Sequence, residues 1–243
     1  PWIHQAIEFG NRLLAFVVAA AAGLVLFAVI RAGRRKDIKT LAWISLIGVV
    51  VQAVIGGISV RLDLRWWSVA VHFLPSMVLV FVAAMLYMRI AETDSAVPTR
   101  RYPGSAQTWT LIAAAALCLV LVTGTMVTGS GPHSGDAGVG MEGRLQMDTR
   151  VLAYVHSVCM YLYLIATIIT TVLLRNSGAP DDAKRTAYVL IAMILVQWAI
   201  GVIQFRMGVP RWTIPAHIAM SSVVVAFSGF LFAHGKRRLP TLV

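Results

Sequence analysis

Seven apolar stretches, each about long enough to cross the roughly 30 Å hydrocarbon core of a bilayer, leave this chain few folds. They run from Leu13 to Ile30, Leu41 to Val60, Trp67 to Met88, Trp109 to Thr128, Val151 to Leu174, Ala187 to Phe205 and Trp212 to Ala233. Lipid offers no partner to an unpaired backbone N–H or C=O, so each stretch must satisfy its own backbone as a helix, and none shows the alternation of a barrel strand. With 58% of residues apolar, 13% charged and a mean hydropathy of +0.78, there is too little polar surface to face water as a globule. The class is all-α integral membrane, multi-pass, with the lipid bilayer as its solvent.

The net charge of +11 points to nucleic acid only until the charges are located. Arg31, Arg34, Arg35, Lys36 and Lys39 fill the first connection, Arg89, Arg100 and Arg101 the third, Arg175, Lys184 and Arg185 the fifth, and Lys236, Arg237 and Arg238 the tail. These fourteen of the twenty-one basic residues fall on one side, which the positive-inside rule makes cytoplasmic. The chain is therefore expected in the cell (plasma) membrane with its Pro1 end outside and its C-terminus inside, and no nucleic-acid partner is expected. Cys118 and Cys159 lie within apolar stretches, so no external disulfide is expected.

Two segments 145 positions apart repeat each other. Val51, Gln52, Ile55, Gly56, Ile58, Arg61, Trp67 and His72 recur without a gap as Val196, Gln197, Ile200, Gly201, Ile203, Arg206, Trp212 and His217. Shared apolar composition does not supply that many identities, so the chain is an internal duplication. Stretches five, six and seven answer to one, two and three, which leaves Trp109 to Thr128 without a counterpart. A further helix ahead of Pro1 is therefore expected in the native protein, in keeping with a chain that opens at proline and shows no signal peptide. The complete molecule is expected to hold two parallel four-helix bundles related by a pseudo-twofold axis along the membrane normal. Residues 1–90 supply three helices of the first bundle, residues 109–238 form the second, and the Arg89 to Thr108 segment links them.

The duplication places one imidazole per half, His72 and His217, at matched depth, and the same offset sets Asn11 opposite His156. His72, His156 and His217 each enter their stretch a few residues from its outer end, where an ionisable group is costly and reads as functional. Facing histidines in a four-helix bundle are a recurrent haem site, whereas zinc wants more nitrogen, sulfur or carboxylate ligands nearby. Arg61, Arg65, Arg150, Arg206 and Arg211 at the outer boundary are candidates for charge-assisted bonds to haem propionates, with interfacial anchoring as the competing reading. His4, Glu8, Asn11 and Arg12 share one helix face by their spacing. Glu8 and Arg12 are read as a structural ion pair or, because the repeat equivalent of Glu8 is Ala153, as a carboxylate placed over a haem of the first half alone. The glycine-rich loop from Gly129 to Arg150, with His133, is long enough to cover a site. Tyr154, Tyr161 and Tyr163 are read as packing.

At these residues the chain resembles the haem A synthase family, membrane enzymes that oxidise a methyl group of haem O to a formyl group. The resemblance is carried by IEFGNR around Glu8, VQAVIGGISVR with His72, VTGSGPHSGD around His133, YVHS at His156, and VQWAIGVIQFR to IPAHIAMS with His217. It implies eight helices, a cofactor haem b held by His156 and His217, and substrate haem O bound in the N-terminal half. Many members read Glu-x-x-His-Arg where this chain has Glu8-Phe-Gly-Asn11-Arg12, so one axial histidine of the first half is absent. Either His4 substitutes, or His72 alone holds the substrate iron with Asn11 and Glu8 beside an open position; the second is favoured, because His4 lies almost two turns from Asn11, with Glu8 acting in proton transfer or substrate placement and Arg12 setting its charge. A haem O synthase or an oxidase-assembly factor is an expected partner, and the electron partner is left open. The rival readings are a di-haem b-type cytochrome relaying electrons between quinone and a partner, and a haem-handling transporter.

Overall fold

The computed structural model describes residues 2–132, 143–210 and 212–239; the side chains of residues 2–8 and 11 lie outside that description. Its elements are α1 (Trp2–Arg31), α2 (Lys36–Arg61), α3 (Trp66–Ile90), β1 (Val97–Arg100), α4 (Gly104–Ser130), α5 (Thr149–Asn176), α6 (Asp181–Arg206), α7 (Thr213–His234) and β2 (Lys236–Leu239). Six apolar stretches lie within one helix each and the seventh begins one residue ahead of its helix, at Trp212; all seven helices are long and apolar enough to cross a membrane. The helices outrun the stretches because charged ends still complete backbone bonds; Asp148 caps α5 by accepting from the N–H groups of Arg150 and Val151 at 2.8 and 3.0 Å.

Consecutive helices pack as hairpins, α1 on α2, α2 on α3, α4 on α5, α5 on α6 and α6 on α7, while α3 meets α4 and α7. The larger apolar core runs through α3 to α7, and a smaller one of Leu26, Val29, Ile38, Ala42 and Leu86 joins α1, α2 and α3. Hydroxyls inside the larger core are satisfied locally: Thr167, Thr170 and Thr171 donate to the carbonyls of Tyr163, Ala166 and Thr167, and Tyr163 Oη lies 2.6 Å from Ser228 Oγ. Such back-bonding lets a hydroxyl enter an apolar helix without an unmet partner.

The duplication reaches the level of single hydrogen bonds. In the α2–α3 turn the N–H groups of Leu62, Asp63 and Leu64 donate to the carbonyls of Ile58, Val60 and Ser59; in the α6–α7 turn those of Met207, Gly208 and Val209 donate to Ile203, Phe205 and Gln204. Each of these positions is shifted by 145. Asp63 and Leu64, and then Gly208 and Val209, take left-handed backbone with φ of 54°, 53°, 74° and 58°. Glycine accepts that conformation freely and aspartate tolerates it, but leucine and the β-branched Val209 are strained there. Where α3 crosses α7, residues 145 apart also touch each other. Ser222 Oγ donates to Met77 Sδ at 3.8 Å, and a Cβ on Gly229 would stand 2.8 Å from that of Ala84. Both contacts advance in the same direction along the chain, so α3 and α7 run parallel through this crossing.

One end of the bundle is closed by a ribbon that hydropathy does not reveal. β1, from the linker, pairs antiparallel with β2, from the tail, with Val97 opposite Leu239 and Arg100 opposite Lys236. Around it the basic residues are neutralised. Glu92, whose side chain is fully buried, binds Arg35 at 2.5 Å and Arg89 at 2.7 Å, with Arg237 at 3.9 Å. Asp182 binds Arg101 at 2.8 Å and Arg237 at 3.4 Å, and Asp94 binds Arg34 at 3.0 Å. Tyr102 donates to the Leu231 carbonyl at 2.7 Å, and burial pushes its phenol pKa upward.

Replacing Glu92 by Gln removes the one carboxylate paired with Arg89, and a buried partner that Arg35 and Arg237 hold beside Asp37, Asp94 and Asp182; breaking a buried ion pair in this way costs about 3–5 kcal/mol, and a lowered thermal midpoint of the detergent-solubilised protein is the expected readout. Partial desolvation opposes the charge of Asp94, but hydrogen bonds from Arg34 and the Arg35 N–H, with the two guanidinium fields, outweigh it and hold the carboxyl below the usual range. Its folded value being depressed, the Asp94 contribution is present above the ordinary aspartate value of about 3.9 and is lost as pH falls through the folded value. Asp94→Asn is expected to flatten that acid limb of a stability-versus-pH curve.

Candidate functional site

His72, His156 and His217 come in from the end of the bundle opposite the ribbon. They sit six residues into α3, seven into α5 and four into α7, or roughly 6–10 Å along their helices at 1.5 Å per residue. All three are half-buried. Each ring rests on a glycine of the preceding helix, which is what brings two helices close enough for an imidazole to lie flat between them. A Cβ on Gly56 would meet His72 Cε1 at 3.1 Å, one on Gly201 would meet His217 Cε1 at 3.1 Å, and one on Gly124 would meet His156 Cε1 at 3.2 Å. Gly56 and Gly201 are repeat equivalents, so the two halves build the same floor beneath equivalent rings.

The polar atoms around the rings are also matched. His72 Nδ1 and His217 Nδ1 are buried without a hydrogen-bond partner, and so are Gln52 Oε1 and Gln197 Oε1. An unpaired buried polar atom costs about 1–3 kcal/mol, and the same pair of positions carries that cost in each half. Gln197 holds the backbone of the second site by donating from Nε2 to the His217 carbonyl at 3.0 Å. His156 differs: its Nδ1 lies 3.1 Å from Thr123 Oγ1 on α4. His156 and His217 are close enough to act on each other electrostatically. Among the described residues, no three His, Cys, Asp or Glu side chains gather as a metal cage. Among the described residues the donor set at this end is imidazole, in apolar helix walls, with Nδ1 of His72 and His217 left free. That suits a planar iron-bearing ring needing only axial ligands.

Arg61 ends α2, Arg65 precedes α3, Arg150 opens α5 and Arg206 ends α6; all four are exposed at the histidine end. Arg12 is exposed on α1. The side chains of His4, Glu8 and Asn11, and residues His133 and Arg211, lie outside the described residues, and with them the expected face of α1 and the middle of the loop over the site. The ends of that loop are tied: Leu145 N–H donates to the Gly129 carbonyl at 3.0 Å and Thr149 Oγ1 to the Ser130 carbonyl at 2.9 Å. Cys118 and Cys159 are free thiols. The three tyrosines near His156 pack or hydrogen-bond away from the rings. Tyr154 tilts on Phe205 at 6.5 Å, Tyr161 Oη accepts from Trp198 Nε1 at 3.3 Å, and Tyr163 meets Ser228.

Thr123 and the supporting glycines carry a local signal that sequence reading passed over. Small and hydroxyl residues, Thr123-Gly124-Thr125 and Thr128-Gly129-Ser130, crowd the last turns of an otherwise apolar helix, at the depth of the histidines. In lipid such residues mark close helix contact.

A family model described as cytochrome oxidase assembly protein matches residues 2–228 of this chain. No curated protein matches it.

Gly56 and Gly57 give a paired test of the ring floors, because a Cβ on Gly57 meets nothing within 4 Å. Gly56→Leu is expected to displace His72 and cost about 1–3 kcal/mol by overpacking. Gly57→Leu should leave both the His72 ring resonances and the thermal midpoint unchanged.

Proposed function

We propose, because this chain belongs to the cytochrome oxidase assembly protein family that contains the haem A synthases, that it is a membrane oxidoreductase converting the methyl group of haem O to the formyl group of haem A. The conversion is two successive two-electron oxidations, methyl to hydroxymethyl and hydroxymethyl to aldehyde. The observation that carries the reading is the set of three half-buried histidines at one end of the bundle, each on a glycine floor, two of them with Nδ1 unpaired.

In this reading the two halves form parallel bundles about a pseudo-twofold axis that passes between α3 and α7. The contacts Met77–Ser222 and Ala84–Gly229 support it, since a residue meets its own equivalent only beside such an axis. The ribbon end, where the basic residues collect, faces the cytoplasm by the positive-inside rule, and the histidines then lie near the outer surface of the cell membrane. His156 and His217 would hold haem b in the C-terminal half, with Arg150, Arg206 and Arg211 as partners for its propionates. Bound there, haem b supplies a one-electron redox centre. His72 would hold the iron of substrate haem O, and Arg61 and Arg65 would take its propionates and fix the orientation of the ring. Glu8 would accept the proton released at the reacting methyl, Arg12 would keep that carboxylate charged until then, and Asn11 would stand on the open side of the substrate.

The matched floors of Gly56 under His72 and Gly201 under His217 also favour a symmetric di-haem relay, which needs two equivalent sites. Against it, Glu8 and Asn11 of the first half answer to Ala153 and His156 of the second. A relay has no use for a carboxylate beside only one haem.

Pigment extraction from the purified protein separates the two. Haem A and haem O alongside haem b are expected for the synthase, and two haems of one type for the relay. His217→Ala is expected to lose most of the haem b. His72→Ala should keep haem b while product falls by at least about 100-fold, the scale on which positioning of a reacting group acts. Full haem b occupancy in both His156→Ala and His217→Ala would remove the proposed ligand pair.

A further inference from the structure

His156 alone of the three histidines has a partner for its inner ring nitrogen, and the identity of that partner decides where the ring proton sits. Thr123 Oγ1 lies 2.7 Å from the Leu119 carbonyl, 3.1 Å from the Val120 carbonyl and 3.1 Å from His156 Nδ1. A threonine hydroxyl has one proton and two lone pairs. Carbonyl oxygens only accept, so the proton is committed to the threonine's own helix and a lone pair is left to face the ring. With the hydroxyl proton on its own helix, Nδ1 of His156 carries the hydrogen and donates to Thr123 Oγ1, with the Val120 backbone as a further acceptor at the ring. In a neutral imidazole Nε2 is then the unprotonated nitrogen, the form that ligates iron.

The next residue completes the grip. A Cβ on Gly124 would stand 3.2 Å from His156 Cε1 and 3.6 Å from Nδ1, so the dipeptide Thr123-Gly124 holds one edge of the ring through a hydrogen bond and a close packing surface. His217 has the packing surface, Gly201, but its Nδ1 is unpaired.

We infer that Thr123 is a positioning residue that fixes the tautomer and orientation of His156, making it the set ligand of the haem b pair and leaving His217 the adjustable one. The inference rests on the haem b assignment made above. A ligating histidine whose other N–H is held by an oxygen acceptor is the more basic donor, and losing that acceptor weakens metal binding by roughly 10–100-fold.

The test uses the full chain in detergent, labelled with nitrogen-15 histidine, as the native protein and as Thr123→Val and Thr123→Ser. Valine keeps the shape and removes the acceptor, whereas serine keeps the hydroxyl. In haem-free protein the native chain and Thr123→Ser should show His156 as the Nδ1–H tautomer, and Thr123→Val a mixture. In titrations with haem b, followed by absorbance, Thr123→Val should bind roughly 10–100-fold more weakly than native protein, with Thr123→Ser restoring most of the affinity at an unchanged thermal midpoint. An Nε2–H tautomer in the native chain, or equal haem affinity in the valine and serine variants, overturns the inference. A native chain with Nδ1–H at His156 that takes up no haem b strikes instead at the cofactor assignment, and takes with it the part of Thr123 in metal binding but not its hold on the tautomer.

Discussion

A hydrocarbon surround donates and accepts no hydrogen bonds, so each polar group carried into it must find a partner on the protein or remain costly. That constraint shapes the molecule from end to end. It forces the seven helices, turns the threonines of α5 back onto their own carbonyls, and pairs Tyr163 with Ser228. It collects the charges at the helix ends, where Glu92 and Asp182 can divide the arginines between them. It also makes exceptions conspicuous. Gln52, His72, Gln197 and His217 keep buried atoms unpaired, in two matched sets, at the end of the bundle where the histidines lie.

The duplication explains why those exceptions come in pairs, and the departures from it are what the proposed chemistry rests on. The turns leading into α3 and α7 agree bond for bond, including the strained Leu64 and Val209. Such strain persists when the surrounding structure over-determines it. Here it lies just ahead of the segment that delivers each repeat histidine. Symmetry of this kind builds two equivalent cradles. Specialisation then rests on few residues: Glu8 and Asn11 on one side, Ala153, His156 and its threonine on the other.

Much of this was legible in the sequence. Hydropathy alone located the helices, because in lipid the length of an apolar run and the length of a helix obey the same bilayer thickness. The 145-residue offset located His72 and His217, because a repeat needs no structure to be seen. What stayed hidden depends on neighbours remote in the chain. The β1–β2 ribbon joins segments too short and too basic to read as strands. Nothing local in the sequence singles out Glu92; Arg35, Arg89 and Arg237 do so by closing around it. Thr123 is one hydroxyl among several in α4, and only the approach of α5 singles it out. The side chains of Glu8 and Asn11, expected beside His72, lie outside the described residues.

The ribbon also sets an order of events during synthesis. β1 leaves the ribosome long before β2, and at about 5–20 residues per second the interval between Val97 and Lys236 is on the order of ten seconds. For that time the linker has no strand to pair with, and the N-terminal helices sit in the bilayer without their fastening to the rest. β2 thus acts as a latch, joining the linker to the far end of α7 only once the helices between them have been made.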